Sequence, residues 1–334
     1  MPGYVNTVLG RITTDAMGPT LVHEHVNFGF AGWYADRTVA PFDRKACVSR
    51  AVEVLKEVKE SGVKTYIDVT PNDSGRDVRF LRDAAQASEM NIICATGLYN
   101  EAQGGSAYFR FRGSLPFTNV TEEIRELFLK EVTQGIEDTP IKAGVIKVVI
   151  GNESISPYEE TVAKAAVMVS KETGVPIITH THGGKLAVEL AELLISEGAD
   201  PSQILIGHLG GTSDINYHLA VLERGVYIGF DRFGADMAPE KPDPVNIDCI
   251  VELIQRGYVH RLLLSHDFTI NMVGRQVSEL LARLPDWYPT HLFKNMLPAL
   301  KTRGVSDRQI AEMTVGNPQR LFEGDKNIQG GSLP

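Results

Sequence analysis

Eight short apolar stretches rich in β-branched residues punctuate this chain, at Thr20–His25, Thr65–Val69, Ile92–Thr96, Val145–Val149, Ile177–Thr181, Ile204–His208, Val226–Phe230 and Leu262–Ser265. Strands that are apolar on both sides belong to parallel sheets covered on both faces. The segments between them are amphipathic, and Ser156–Thr173 is the clearest. Ser156 can cap a helix, Pro157 occupies its first position, Glu159 completes a capping box, and Gly174 with Pro176 ends it. Val162, Ala165, Ala166 and Val169 mark its core-facing side. Further helices fit Asp43–Ser61, Arg76–Ser88, Val120–Glu137, Lys185–Glu197, Thr212–Arg224 and Pro244–Arg256.

This alternation allows a closed barrel or an open doubly wound sheet, both of the α/β class. The count of eight strands favours a (β/α)8 TIM barrel. So do the metal-ligand side chains at the ends of strands one, four, five, six and eight, which only a ring aims at one centre. No glycine-rich dinucleotide fingerprint follows the first strand. Tyr4–Thr14 reads as a short N-terminal hairpin over the barrel bottom, His291–Lys301 and Ser306–Met313 as C-terminal closing helices, and the tail from Lys326 as loose. With no repeat or low-complexity linker, residues 1–334 are expected to form a single domain.

Charge narrows the range of partners. The net charge of −9 would repel nucleic acid and anionic membrane surfaces. No apolar run reaches the roughly 18 residues of a membrane span, and the first residues lack a secretory pattern, so the chain reads as cytoplasmic. Cys47, Cys94 and Cys249 are too few and too scattered for a disulfide framework and read as buried thiols.

The chemistry lies at the strand ends. His23 and His25 flank Glu24 and share a face by alternation. His180, His208 and the run Ser265-His266-Asp267 each follow an independent apolar strand. Lys147 is flanked by Val145, Ile146, Val148 and Val149, so its ammonium is buried at a cost. Burial lowers a lysine pKa, and the neutral amine can take up carbon dioxide to give an anionic carbamate whose two oxygens can bridge two divalent ions. The imidazole and carboxylate set suits borderline divalent metals, and paired ions generate hydroxide at neutral pH. His182 shares a face with His180 and is an equal candidate by spacing, whereas His266 alternates away from Asp267.

From Gly18-Pro-Thr-Leu-Val-His-Glu-His25 through Ala143-Gly-Val-Ile-Lys147, Ile177-Ile-Thr-His180, Ile206-Gly-His208 and Leu264-Ser-His-Asp267, the chain resembles the phosphotriesterase-like branch of the amidohydrolase superfamily, over Leu9 to about Phe322. The resemblance implies a barrel with two divalent ions, zinc foremost, with manganese, cobalt or iron as alternatives. It implies that His23, His25 and Asp267 hold the more buried ion, that His180 and His208 hold the exposed one, and that carboxylated Lys147 bridges them. It places the ligand at His180 rather than His182 and makes Asp267 the proton acceptor. It also carries the expectation of a homodimer.

Long connections at Gly97–Asn119, Asp231–Pro244 and Phe268–Pro289 follow strands three, seven and eight, on the face where active sites of this fold lie. Their Tyr99, Tyr108, Phe109, Arg110, Phe111, Arg232 and Phe233 could build a substrate pocket. Tyr99 and Arg232 stand where lactonase-like members carry a tyrosine and an arginine. They imply a small-molecule substrate, a lactone or other carboxylic ester, with weak organophosphate triesterase activity. Asn100–Gly105 lacks the second aromatic of acyl-homoserine lactonases, and no Cys-Cys pair follows Asp267, so a simple carboxylesterase or a lactonase for sugar or γ-lactones fits as well. The alternatives are a triesterase as the main activity, a single-metal deaminase, which would not need Lys147, and a silent binding barrel.

Overall fold

The computed structural model describes residues 3–39, 42–236, 241–275 and 282–324. An antiparallel hairpin comes first, β1 (Tyr4–Thr7) with β2 (Gly10–Thr13). The strands β3 (Thr20–Phe28), β4 (Thr65–Asp68), β5 (Asn91–Leu98), β6 (Val145–Val149), β7 (Ile177–His180), β8 (Ile204–Ile206), β9 (Tyr227–Phe230) and β10 (Leu262–Leu264) then pair in parallel, each with the next in the chain. A further strand, β11 (Thr269–Met272), pairs in parallel with β3, Thr269 opposite His25.

Strand β11 continues the eighth strand after a break at residues 265–268, and the ring closes across that break. Ser265 N–H donates to Phe230 O at 3.2 Å, while Asp267 N–H donates to His23 O and His25 N–H to Phe268 O, both at 3.0 Å. The architecture is therefore the (β/α)8 barrel expected from the strand count.

Outside lie α1 (Arg44–Glu60), α2 (Val78–Ser88), α3 (Ala107–Gly113), α4 (Val120–Thr133), α5 (Pro157–Thr173), α6 (Ala187–Ser196), α7 (Ile215–Leu222) and α8 (Asp243–Gln255). Side chains of Asp43, Asp77, Ser106, Asn119, Ser156 and Asp214 accept from first-turn amides, supplying partners those amides cannot find within the helix. The capping box at Ser156 and Glu159 is present, and Gly174 ends α5 with a left-handed φ of 74°. Helix α3 stands inside the long connection Gly97–Asn119, where the sequence reading places no helix. The closing segment runs through helical turns at Leu292–Met296, Leu297–Thr302, Asp307–Ala311, Glu312–Gly316 and Asn317–Glu323, with Ser306 and Gln309 capping each other's amides.

Two buried layers position the site. Most apolar residues pack between barrel and helices. A second cluster fills the barrel's lower half, where Val22, Ile67, Ile93, Val145, Ile178, Leu205, Tyr227 and Leu263 meet Val5 and Met17. The hairpin plugs that end, with Val8 N–H on Ile92 O at 2.9 Å and Asn6 Nδ2 donating to Ala143 O at 3.0 Å. Side chains thus close the bottom, and chemistry is confined to the opposite end. Cys94 and Cys249 are buried, Cys47 is half-buried, and none is paired. No helix among the described residues is long and apolar enough to cross a membrane. The tail from Lys326, expected to be loose, lies outside the described residues.

Candidate metal centre

Strand β3 delivers two histidines to the upper end of the barrel through a bulge. Leu21 pairs with Tyr66 but Glu24 pairs with Asp68, so β3 has one extra residue between them. Strict alternation from the inward-facing Val22 would turn His23 outward. The inserted residue lets Val22 fill the core while His23 and His25 both face the site.

The six side chains read as ligands converge. Lys147 Nζ lies 2.6 Å from His23 Nε2. Asp267 Oδ1 is 3.2 Å from His25 Nε2 and 3.7 Å from His23 Nε2. His208 Nε2 is 2.8 Å from His180 Nδ1 and 3.7 Å from Asp267 Oδ2. The trio His23, His25 and Asp267 has ligand atoms close enough to share one cation. His208 and Asp267 stand just beyond their strands with left-handed φ values of 66° and 53°, uncommon for residues with a Cβ. Such turns redirect side chains that would otherwise follow the strand.

Two glycines make room. A Cβ on Gly97, whose φ is +153°, would lie 2.3 Å from Lys147 O, and one on Gly207 would lie 2.5 Å from Thr179 O. The β5 and β8 backbones can therefore close tightly on the strands that carry Lys147 and His180.

Protonation states favour cation binding. Burial brings the Lys147 amine down to about 7 against the pull of Asp267 and Asp231. Burial, reinforced by the Arg232 guanidinium, drives His208 down to about 3. His180 lies well below the ordinary imidazole value through burial and its contact with His208. Burial would raise the Asp267 carboxyl, but Arg232 and the neighbouring histidines outweigh it and keep it ionised. Neutral imidazoles and an ionised carboxylate present lone pairs, the state metal ligation requires.

One buried acid was not singled out from sequence. Asp231 Oδ1 accepts from the His208 backbone N–H at 2.8 Å and lies 2.9 Å from its Nδ1, while Oδ2 is 3.0 Å from His23 Nδ1. It faces the ring nitrogens that point away from Lys147 and His180. A carboxylate behind two imidazoles fixes their tautomers and orientation. We therefore read the grouping of His23, His208 and Asp231 as the support of the centre rather than a second cation site. Its only signal in the sequence is its place directly after β9, next to Arg232.

Arg232 Nε donates to Asp267 Oδ2 at 2.8 Å. The Tyr99 ring stands 6.0 Å from that of His180, and Phe28 and Phe30 continue an aromatic wall, 5.9 and 6.3 Å from Tyr99. Phe109 and Arg110 instead line a separate outer cavity of about 340 Å³ with Tyr158 and Val120. Tyr108 and Phe111 are exposed, and Phe233 is buried in the barrel–helix core. His182 is half-buried and His266 is fully buried against Glu24.

The phosphotriesterase family model matches residues 3–322. A phosphotriesterase homology protein of Mycobacterium tuberculosis is 34% identical over 96% of this chain and 97% of its own. An aryldialkylphosphatase of Saccharolobus solfataricus is 33% identical over 93% and 96%. Among solved structures, a variant of a PTE-like lactonase from Deinococcus radiodurans superposes with a TM-score of 0.92 at 42% identity, covering 95% of this chain and 99% of that one.

Proposed function

The chain belongs to the phosphotriesterase family, and we propose that it is a single-domain hydrolase that uses two divalent cations to cleave lactones or other carboxylic esters, with weaker activity on organophosphate triesters. One observation carries this reading: ligand atoms of His23, His25, Lys147, His180, His208 and Asp267, drawn from five strands, meet in one buried cluster. In this reading His23, His25 and Asp267 hold one ion and His180 and His208 the other. Lys147, as a carbamate, would add an anionic oxygen ligand to that set. Its buried, easily neutralised amine supports that role, because only the free base can add carbon dioxide. Zinc is the ion we expect.

Bound ions would supply Lewis-acid activation of water and of the scissile carbonyl or phosphoryl group. The chain's own residues do the rest. Asp267, held ionised by Arg232 and the neighbouring histidines, is the residue placed to accept the proton released by the attacking water. Arg232 holds Asp267 through Nε and sets its orientation. Tyr99, whose phenol burial keeps protonated, is available to donate to a substrate oxygen. Phe28 and Phe30 beside it exclude water from an apolar substrate.

The names of the relatives support both substrate classes, a lactonase in Deinococcus and an aryldialkylphosphatase in Saccharolobus. A homodimer is part of the same proposal. The test is an assay of γ- and δ-lactones, aryl esters and paraoxon-like triesters with zinc-loaded and chelator-stripped protein. Lactone turnover should disappear with the metal, and undiminished turnover in stripped protein would refute the reading.

A further inference from the structure

Glu24 stands between His23 and His25 in the chain, faces away from the cluster, and is fully buried, with 0% of its surface exposed. A carboxylate buried without compensation is costly, so its partners define its purpose. Oε1 accepts from Ser265 Oγ at 2.7 Å, from the His266 backbone N–H at 2.8 Å and from His266 Nδ1 at 3.0 Å. Oε2 accepts from the Phe268 N–H at 2.8 Å. These partners surround Asp267: the amides on either side of it both end on Glu24, and its own N–H ends on His23 O at 3.0 Å. Ser265 Oγ also accepts from the His23 N–H at 3.1 Å.

Asp267 holds a left-handed φ of 53°, a strained conformation that a residue with a Cβ keeps only where its surroundings impose it. The four hydrogen bonds to Glu24 impose it. His266 extends the arrangement outward. Its Nε2 accepts from the Leu292 N–H at 2.9 Å, so the ring proton must reside on Nδ1, facing Glu24.

We propose that Glu24 is the positioning residue for the Asp267 ligand, and that His266, fixed as the Nδ1–H tautomer, ties that position to the closing segment at Leu292. The inference rests on the metal-centre reading above. One carboxylate thereby couples the two parts of a single ion's ligand set, the histidines of β3 and the aspartate across the ring closure. A glutamine at position 24 offers one acceptor oxygen and turns an NH2 group toward N–H donors, so it cannot satisfy all four.

The experiment equilibrates full-length wild type, Glu24→Gln, His266→Asn and His266→Leu in buffers of fixed free zinc and measures bound zinc, followed by kcat and KM on a lactone. Glu24→Gln should weaken zinc binding by about 10–100-fold and lower kcat more than it raises KM. His266→Asn retains a side-chain N–H near the Nδ1 position and should stay close to wild type, while His266→Leu should follow Glu24→Gln. Wild-type zinc affinity in Glu24→Gln, or equal losses in the two His266 variants, would overturn the proposal. Should Glu24→Gln not fold, the His266 pair decides. Wild-type protein that takes up no zinc would overturn the metal-centre reading and this inference together; normal wild-type uptake with an unaffected Glu24→Gln overturns this inference alone.

Discussion

Lys147 Nζ lies 2.6 Å from His23 Nε2 inside a strand where the lysine is only 1% exposed. At that distance an ammonium would have to be bonded to the lone pair that His23 would otherwise offer a cation. Replacing the amine with an anionic, metal-bridging group resolves the conflict. Lys147→Ala should therefore lose bound metal and reduce lactone turnover by more than about a hundredfold, beyond the effect of losing an outer supporting residue. Metal analysis of the purified variant beside its rate checks this.

Asp231 supports two imidazoles, and an asparagine there can accept from only one of its two sides. We expect Asp231→Asn to weaken metal retention by about 10–100-fold while the fold persists. Dialysis against a graded chelator series, with circular dichroism as the control for folding, measures both.

Arg232 donates to Asp267 and, as a cation with no lone pair to offer, is not itself a metal ligand, so its loss should spare the metal. Arg232→Met should lower kcat/KM for lactones by about 10²–10³ with metal content unchanged. Arg232→Lys should recover only part, because an ammonium cannot reproduce the guanidinium's fixed donor geometry. Steady-state kinetics on metal-quantified samples distinguish these outcomes.

Stability has its own titrating element. Arg76 bonds Glu131 through both terminal nitrogens, at 2.7 and 2.8 Å, and Asn72 joins them while clamping Gly97, the glycine packed on Lys147. Burial opposes the Glu131 charge, but Arg76 outweighs it and holds the carboxyl below its ordinary 4.5. A folded-state pKa below the unfolded one means that this contribution is complete above pH 4.5 and is lost as pH falls through the lower folded value. Glu131→Gln should cost about 3–5 kcal/mol at pH 7, with the gap to wild type narrowing on the acid side of 4.5. Urea denaturation of both proteins across pH is the check.

Much of this was legible in the sequence, for identifiable reasons. Uninterrupted β-branched runs can be satisfied only by strands covered on both faces, so the eight barrel strands stood out. Ser156 with Glu159 and Ser306 with Gln309 marked helix starts, because capping is a local interaction. What depended on distant partners did not stand out. Strand β11 exists because Thr269–Met272 meets β3 across the ring closure. The bulge before Glu24 depends on register with β4. Asp231 and Glu24 are single acids whose meaning comes from the imidazoles and amides that face them, and spacing along a chain does not encode that.

The most direct measurement is metal stoichiometry against turnover. Stripped protein is titrated with zinc in the presence of bicarbonate, and bound metal and lactone hydrolysis are followed together. Two ions per chain, with activity rising as the second one binds and vanishing under chelation, is the expected result. Full activity with one ion per chain and an unmodified Lys147, or activity indifferent to metal, would contradict it.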